Sequence, residues 1–200
     1  MDFAIDHYQS TISYELKKRM RKITLNIATS LDGYIEGPKG EIDWCLNDQD
    51  YGLTDFAEDT DALFMGRKSY ELIAQAGLGF FEDHSIYVFS DTLVKEEHFG
   101  VKVIRRADLI SFVKDFREQE GKNIWFFGGA DLLASFMAQN LVDEFLISVH
   151  PIILGGGKSL FHHAQEKIEL MLIEHKAYSS GLVQMRYIMP PKFDLSMLDL

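Results

Sequence analysis

The apolar run Ile124-Trp125-Phe126-Phe127 stops at Gly128-Gly129 and gives way to Ala130-Asp131 and a helical pattern. This spacing carries bare backbone from a strand end to a helix N-terminus. Without Cβ atoms the two glycines let main-chain N–H groups come close to a ligand, and the unpaired amides and dipole of a helix start favour a phosphate. A pyrophosphate-bearing cofactor suits that chemistry, although a lone Gly-Gly pair serves equally as a turn that binds nothing. A second junction corroborates the first. Leu63-Phe64-Met65 runs into Gly66-Arg67-Lys68-Ser69, where Arg67 can make a forked contact to phosphate, Lys68 adds a point charge and Ser69 a hydroxyl.

These residues need a scaffold, and the pattern supplies one. From Lys22 onward short apolar runs alternate with helical stretches, which argues for an α/β sheet flanked by helices. Eight strands are expected, at Ile23–Ala28, Ala62–Met65, Ile86–Phe89, Val101–Ile104, Ile124–Phe127, Glu144–Ile153, Glu169–His175 and Leu182–Ile188. Helices are expected near Asp50–Glu58, Lys68–Ala74, Ala107–Glu120 and Asp131–Asn140. In the third, Leu109, Phe112, Val113 and Phe116 make one core-facing stripe. The last two strands have no helix between them, so the sheet is expected to be mixed, and the alternation of Val183, Met185 and Tyr187 with polar neighbours predicts that the last strand closes an edge.

Residues 1–20 are polar and weakly patterned, and are read as an N-terminal extension and a candidate for disorder, with Met20 an alternative start; residues 21–190 form the domain and 191–200 a tail. The net charge of −11, from 20 basic and 31 acidic residues, opposes capture by nucleic acid or an anionic membrane. No apolar run reaches membrane-spanning length, and the single cysteine, Cys45, makes no internal disulfide. A cytoplasmic protein is expected. His150 and His162-His163 lack metal-site spacing, so no metal is expected. Gly155-Gly156-Gly157 could shape the mouth of a cofactor site, and reads equally as a pliable connector after a long strand.

Four motifs in order carry a resemblance spanning Arg21 to Met189: Ala28-Thr29-Ser30-Leu31-Asp32-Gly33-Tyr34-Ile35, Met65-Gly66-Arg67-Lys68-Ser69-Tyr70-Glu71, Phe127-Gly128-Gly129-Ala130, and Leu141-Val142-Asp143-Glu144 through His150-Pro151-Ile152-Ile153-Leu154-Gly155-Gly156-Gly157. The chain resembles the dihydrofolate reductase superfamily, in the branch related to the reductase domain of bacterial riboflavin biosynthesis. The resemblance implies a three-layer fold with an eight-stranded central sheet, NADPH as cofactor with NADH the alternative, and hydride transfer to a pterin- or pyrimidine-like ring. It implies a pyrophosphate beside Gly128, Gly129 and Ala130, and adenosine-side phosphates near Gly66, Arg67, Lys68, Ser69 and Ser90. Ala28 and Asp32 would lie beside the nicotinamide, and relatives of this kind pair as homodimers.

Ser90-Asp91-Thr92 departs from that pattern by lacking a basic residue for a ribose 2′-phosphate, and Asn26 and Tyr34 depart from the riboflavin reductases. Hydride addition also needs a proton donor or a carboxylate that orients the ring. Asp50, sixteen residues before Gly66, is the first candidate, ahead of Asp55, Asp43 and Glu41. Trp44 and Tyr51 are candidate walls for a flat substrate ring. Two functions fit: an NADPH-dependent reductase of a small heterocycle, of which 5-amino-6-(5-phosphoribosylamino)uracil is one, and a dinucleotide-binding module without catalysis.

Overall fold

A computed structural model describes residues 20–94, 100–162, 164 and 166–190. The expectations for residues 1–19, for 191–200 and for His163 lie outside the described residues. The strands are β1 (Ile23–Ser30), β2 (Tyr34–Glu36), β3 (Thr60–Gly66), β4 (Ser85–Phe89), β5 (Val101–Ile104), β6 (Asn123–Gly128), β7 (Glu144–His150), β8 (Lys158–Ser159), β9 (Met171–Ala177) and β10 (Val183–Ile188). The helices are α1 (Leu53–Glu58), α2 (Arg67–Ala76), α3 (Leu109–Arg117) and α4 (Ala130–Ala138), with 3₁₀ turns at Gly79–Phe81 and Arg106–Asp108. All strands but β2 and β8 belong to one eight-stranded mixed sheet with flanking helices, the α/β architecture expected. The chain divides into two compact units, one holding Asp50–Phe127 with the described residues up to Ile23, the other Thr24–Gln49 with Gly128 onward.

In the first unit the strand order is β5-β4-β3-β6, and β3, β4 and β5 run parallel with Gly66 beside Phe89 and Phe89 beside Ile104. Alternate side chains therefore leave opposite faces. Leu63, Met65, Ile86, Val88 and Trp125 bury with Tyr70 and Ile73 of α2 in one core. On β3 and β4 the intervening Phe64, Tyr87 and Phe89 form a ring cluster with Phe112 and Phe116 of α3. The stripe expected on α3 is thus core packing, with Leu109, Val113 and Phe116 all buried. Each such side chain contributes about 1.5–3 kcal/mol on burial, so the two faces account for much of the unit's stability. Arg21 closes this unit: it pairs with Asp61, donates from Nε to Lys122 O at 2.6 Å and lies 4.4 Å over the Phe116 ring.

In the second unit the order is β1-β7-β10-β9, with β1 and β7 parallel and the pairs β7–β10 and β10–β9 antiparallel. The expectation that the last strand closes an edge is overturned: β10 lies between β7 and β9, and β9 is the edge, exposed along its whole length. The polar residues of β10 are matched to neighbours on both sides. Arg186 donates to Glu144 of β7 at 2.9 Å and to Glu174 of β9 at 3.1 Å, while Gln184 donates to Ser148 at 3.1 Å. Alternating polarity looks the same whether the polar face meets water or partnered side chains. The expected strand Glu144–Ile153 ends at His150, and the one expected at Glu169–His175 is displaced to Met171–Ala177. The short antiparallel pair β2–β8 is additional, setting Tyr34 beside Ser159 and Glu36 beside Lys158.

Candidate functional site

The glycine turn of the second unit is built as its composition requires. Gly128 has a φ of +114°, which an L side chain rarely adopts, and the Gly128–Gly129 peptide is cis. Gly129 is the N-cap of α4, and no side chain caps the helix there. A glycine at that position has no side chain to cap the first-turn amides, and Gly129 O takes the Leu133 N–H at 2.9 Å. Asp131 adds a negative charge to this turn, offset by Lys158 Nζ at 3.0 Å, and His162 Nε2 lies 3.3 Å from its other oxygen.

Asp32, expected beside the nicotinamide, points its carboxylate at its own chain. It accepts the Ser30 hydroxyl at 2.6 Å, the Leu154 amide at 3.1 Å and the Gly155 amide at 2.8 Å. The Ser30 hydroxyl bond above all, followed by the Gly155 and Leu154 amides, holds its pKa below the usual carboxylate range. Leu31 N–H also donates to Ile152 O at 2.8 Å and Leu160 N–H to Gly33 O at 3.0 Å. The triple glycine is consequently held along the 30–36 segment, against the second of its two readings, a pliable connector. A Cβ on Gly157 would lie 2.0 Å from Glu36 O. Ala28 is half-buried in β1, opposite Ser148 of β7.

In the first unit the parallel register aligns the C-terminal ends of β3, β4 and β5, so that Arg67, Ser90 and Arg105 each begin a segment leaving the same edge. Gly66 is the N-cap of α2, again without a side-chain cap, and Arg67, Lys68 and half-buried Ser69 form the first turn with no acidic residue among them. Arg67 donates to Glu71 at 2.6 Å and to Thr92 Oγ1 at 2.8 Å. Ser90 is buried, and its hydroxyl receives the Thr92 and Leu93 amides at 3.1 and 3.0 Å. Ser90 thus shapes the turn. Asp91, which would repel a phosphate if it faced Arg67, caps the Arg106 amide at 2.9 Å instead. Arg105 and Arg106, exposed after β5, were missed by sequence reasoning. Two arginines immediately after a short strand were the available signal.

Asp50 precedes the helix on which it was expected, because Tyr51 and Gly52 both have positive φ and α1 begins only at Leu53. Its carboxylate receives the Thr54 hydroxyl at 2.8 Å and amide at 3.1 Å, and those bonds, the hydroxyl first, lower its pKa. It is kept charged, a state that can accept from a ring N–H but is poorly suited to donating a proton. Trp44 stacks edge-on against His150 at 5.3 Å and donates its indole N–H to Glu41 O at 3.1 Å, while Tyr51 is half-buried at its positive-φ turn. Sequence reasoning also missed an aromatic group in the first unit, where Phe56, Phe81 and Phe127 lie 5.1–5.7 Å from Trp125 and Phe80 lies 6.5 Å from it. Among the described residues no group of three His, Cys, Asp or Glu side chains could hold a metal ion, and no helix is long and apolar enough to cross a membrane.

Comparison with known proteins places this geometry. Residues 80–184 match the RibD C-terminal domain. The uncharacterized protein YyaP of Bacillus subtilis is 38% identical over 182 residues, covering 84% of this chain and 95% of the relative. A putative riboflavin biosynthesis protein from Shewanella superposes with a TM-score of 0.72 at 27% identity, covering 86% of this chain and all of that one. Dihydrofolate reductase from Enterococcus faecalis, solved with NADP(H), shares the fold at a TM-score of 0.63 and 15% identity, over 85% of this chain and 97% of its own. With a dihydrofolate-reductase-like sheet and a matching stretch that spans over half of its length, the chain belongs to the RibD C-terminal domain family.

Proposed function

We propose that this protein is an NADPH-dependent reductase that delivers hydride to a small heterocyclic carbonyl or imine, with 5-amino-6-(5-phosphoribosylamino)uracil or a close pyrimidine relative as substrate. The carrying observation is the uncapped N-terminus of α4 behind Gly128-Gly129, a donor set that fits a diphosphate. When bound, the nicotinamide supplies the hydride. Gly128, Gly129 and Ala130 are assigned to the diphosphate. Gly66, Arg67, Lys68 and Ser69 are assigned to an adenosine-side phosphate, with Ser90 forming the turn that seats Arg67 against Thr92. Ala28 and Asp32 are assigned to the nicotinamide side, Asp32 by holding the glycine run at Leu154 and Gly155. Preference for NADPH over NADH rests on the basic edge after β3 and β5, where Arg105 and Arg106 supply the charge that the Ser90-Asp91-Thr92 turn lacks.

Asp50 is assigned to orient the substrate ring as an ionised acceptor, and Trp44 and Tyr51 to bound it. Cys45 takes no part, since burial pushes its thiol up to about 11. The chain is proposed to work in the cytoplasm as a homodimer through the exposed edge β9, where Met171, Leu172 and Ile173 remain 43–48% accessible. A second reading, a binding module without catalysis, is favoured by the bonds that tie the Asp50 carboxylate to the Thr54 hydroxyl and amide of its own turn.

The test is a titration of the purified protein with NADPH, following Trp44 and Trp125 emission, then NADPH oxidation with the pyrimidine intermediate. Quenching plus oxidation supports the reductase; quenching alone with a panel of pyrimidines and pterins supports the module. Absence of quenching overturns both. In Asp50→Asn, NADPH affinity is expected to be unchanged while turnover falls by at least about tenfold, the lower reach of lost substrate orientation.

A further inference from the structure

Buried polar side-chain atoms in folded proteins are almost always hydrogen bonded, to protein or to an ordered water. Among the described residues two have no protein partner, Trp125 Nε1 and His84 Nδ1, and both belong to one aromatic cluster of the first unit. Their rings are 6.4 Å apart with planes inclined at 76°, and the Phe81 ring lies 5.5 Å from Trp125 and 6.3 Å from His84. The indole N–H can only donate. His84 Nδ1 is an acceptor when the ring carries its proton on Nε2, an arrangement the bonds around Thr60 accommodate. Thr60 has a single hydroxyl proton with Ala57 O at 3.0 Å and Phe56 O at 3.3 Å in reach, and once it is given to either carbonyl the oxygen is left to accept. The atom facing that oxygen is His84 Nε2, at 2.9 Å, which donates to it when the ring proton is on Nε2. Burial lowers the His84 pKa, which favours the neutral ring, and with the proton on Nε2 the other nitrogen keeps a lone pair.

With the His84 proton on Nε2, one donor and one acceptor stand unsatisfied in the same aromatic cluster, each sealed from bulk solvent. We infer that Trp125 Nε1 and His84 Nδ1 are two walls of a single internal hydration site, holding one water that accepts from the indole and donates to the imidazole. The water stitches the segment entering β4 to the centre of β6, the strand that ends in Phe127 and Gly128. His84 is fixed to the start of β3 through Thr60, so the same site ties three strands of the first unit with one molecule.

The experiment uses the full chain labelled with ¹⁵N. It has two indole N–H signals, and Trp44→Phe assigns them. A dipolar cross-peak between Trp125 Nε1–H and a long-lived water, distinct in sign from proton exchange, is expected in the native protein. The His84 nitrogen shifts are expected to report the Nε2–H tautomer with a hydrogen-bonded Nδ1. In His84→Phe the cross-peak should vanish and the Trp125 indole signal move, while the Trp44 indole stays in place. A missing cross-peak in the native protein, an Nδ1–H tautomer, or a cross-peak that survives His84→Phe overturns the inference. The first two readings need no variant, so a His84→Phe chain that fails to fold leaves the test intact.

Discussion

Replacing Gly157 by alanine tests whether the glycine run is clamped rather than loose, and Gly155→Ala is its control. At Gly155 φ is +70° and a new Cβ meets nothing within 4 Å, so the cost is the backbone preference alone, about 1 kcal/mol. At Gly157 φ is +125°, and the Cβ would sit 2.0 Å from Glu36 O and 2.9 Å from Gly37 C, both backbone atoms. A conformation so far from any alanine minimum costs about 1–3 kcal/mol. Relief of the contact requires the β2 backbone to retreat by about 1 Å, which breaks the Tyr34–Ser159 and Glu36–Lys158 pairing at about 1 kcal/mol for each hydrogen bond. The expected loss is about 3–5 kcal/mol, a fall of roughly 6–20 °C in melting temperature for a chain of this size, against about 2–4 °C for Gly155→Ala. Urea and thermal unfolding measure both variants side by side. Equal losses would refute the reasoning, because a loose connector absorbs either methyl group.

Arg67→Ala is expected to weaken NADPH binding by about 10–100-fold, the range for a charged hydrogen bond, and Arg105→Ala with Arg106→Ala to weaken NADPH while leaving NADH unchanged; fluorescence titrations with both nucleotides check this. His150 accepts the Leu46 amide at Nδ1, at 3.1 Å, and burial lowers its pKa. A histidine charged more readily unfolded than folded makes the protein lose stability as pH falls below the ordinary value of about 6.5, so urea midpoints should drop from pH 7 to pH 5, with a shallower drop in His150→Asn. His84, lowered the same way, supplies the slope that remains. Leu172→Glu on β9 is expected to convert a homodimer to monomer, measured by sedimentation, and an unchanged mass would place the interface elsewhere.

The sheet was legible because its strands are long apolar runs and its helices carry stripes such as Leu109, Val113 and Phe116. Both glycine junctions were legible because Gly66 and Gly128-Gly129 end apolar strands abruptly. What was hidden depends on partners distant in sequence. Strands of three and two residues are too short for any period, so β2 and β8 left no pattern. The Asp32 carboxylate reads as a turn residue until Leu154 and Gly155 come against it, more than a hundred positions later. Asp50 looked helical because Tyr51 gives no sign of a positive φ, which only asparagine, aspartate or glycine would have advertised.

The two helix starts solve opposite electrostatic problems. A cation in the first turn of a helix opposes the dipole by about 0.3–1 kcal/mol, and α2 opens with Arg67 and Lys68 and no acid to balance them. Glu71 relieves Arg67 from one turn further on, but the pair is exposed and worth little. Nothing in the packing demands that arrangement, since the buried face of α2 is Tyr70 and Ile73. An anion placed there reverses the sign for both charges and for the open amides together. α4 has the inverse defect: Asp131 suits the dipole but would repel a diphosphate, and Lys158 takes up its charge from β8. Lys158→Met should then weaken NADPH binding without Lys158 touching the nucleotide, and Asp131→Asn in the same chain should restore it. Failure of the second change to rescue the first would show that Lys158 meets the phosphate directly.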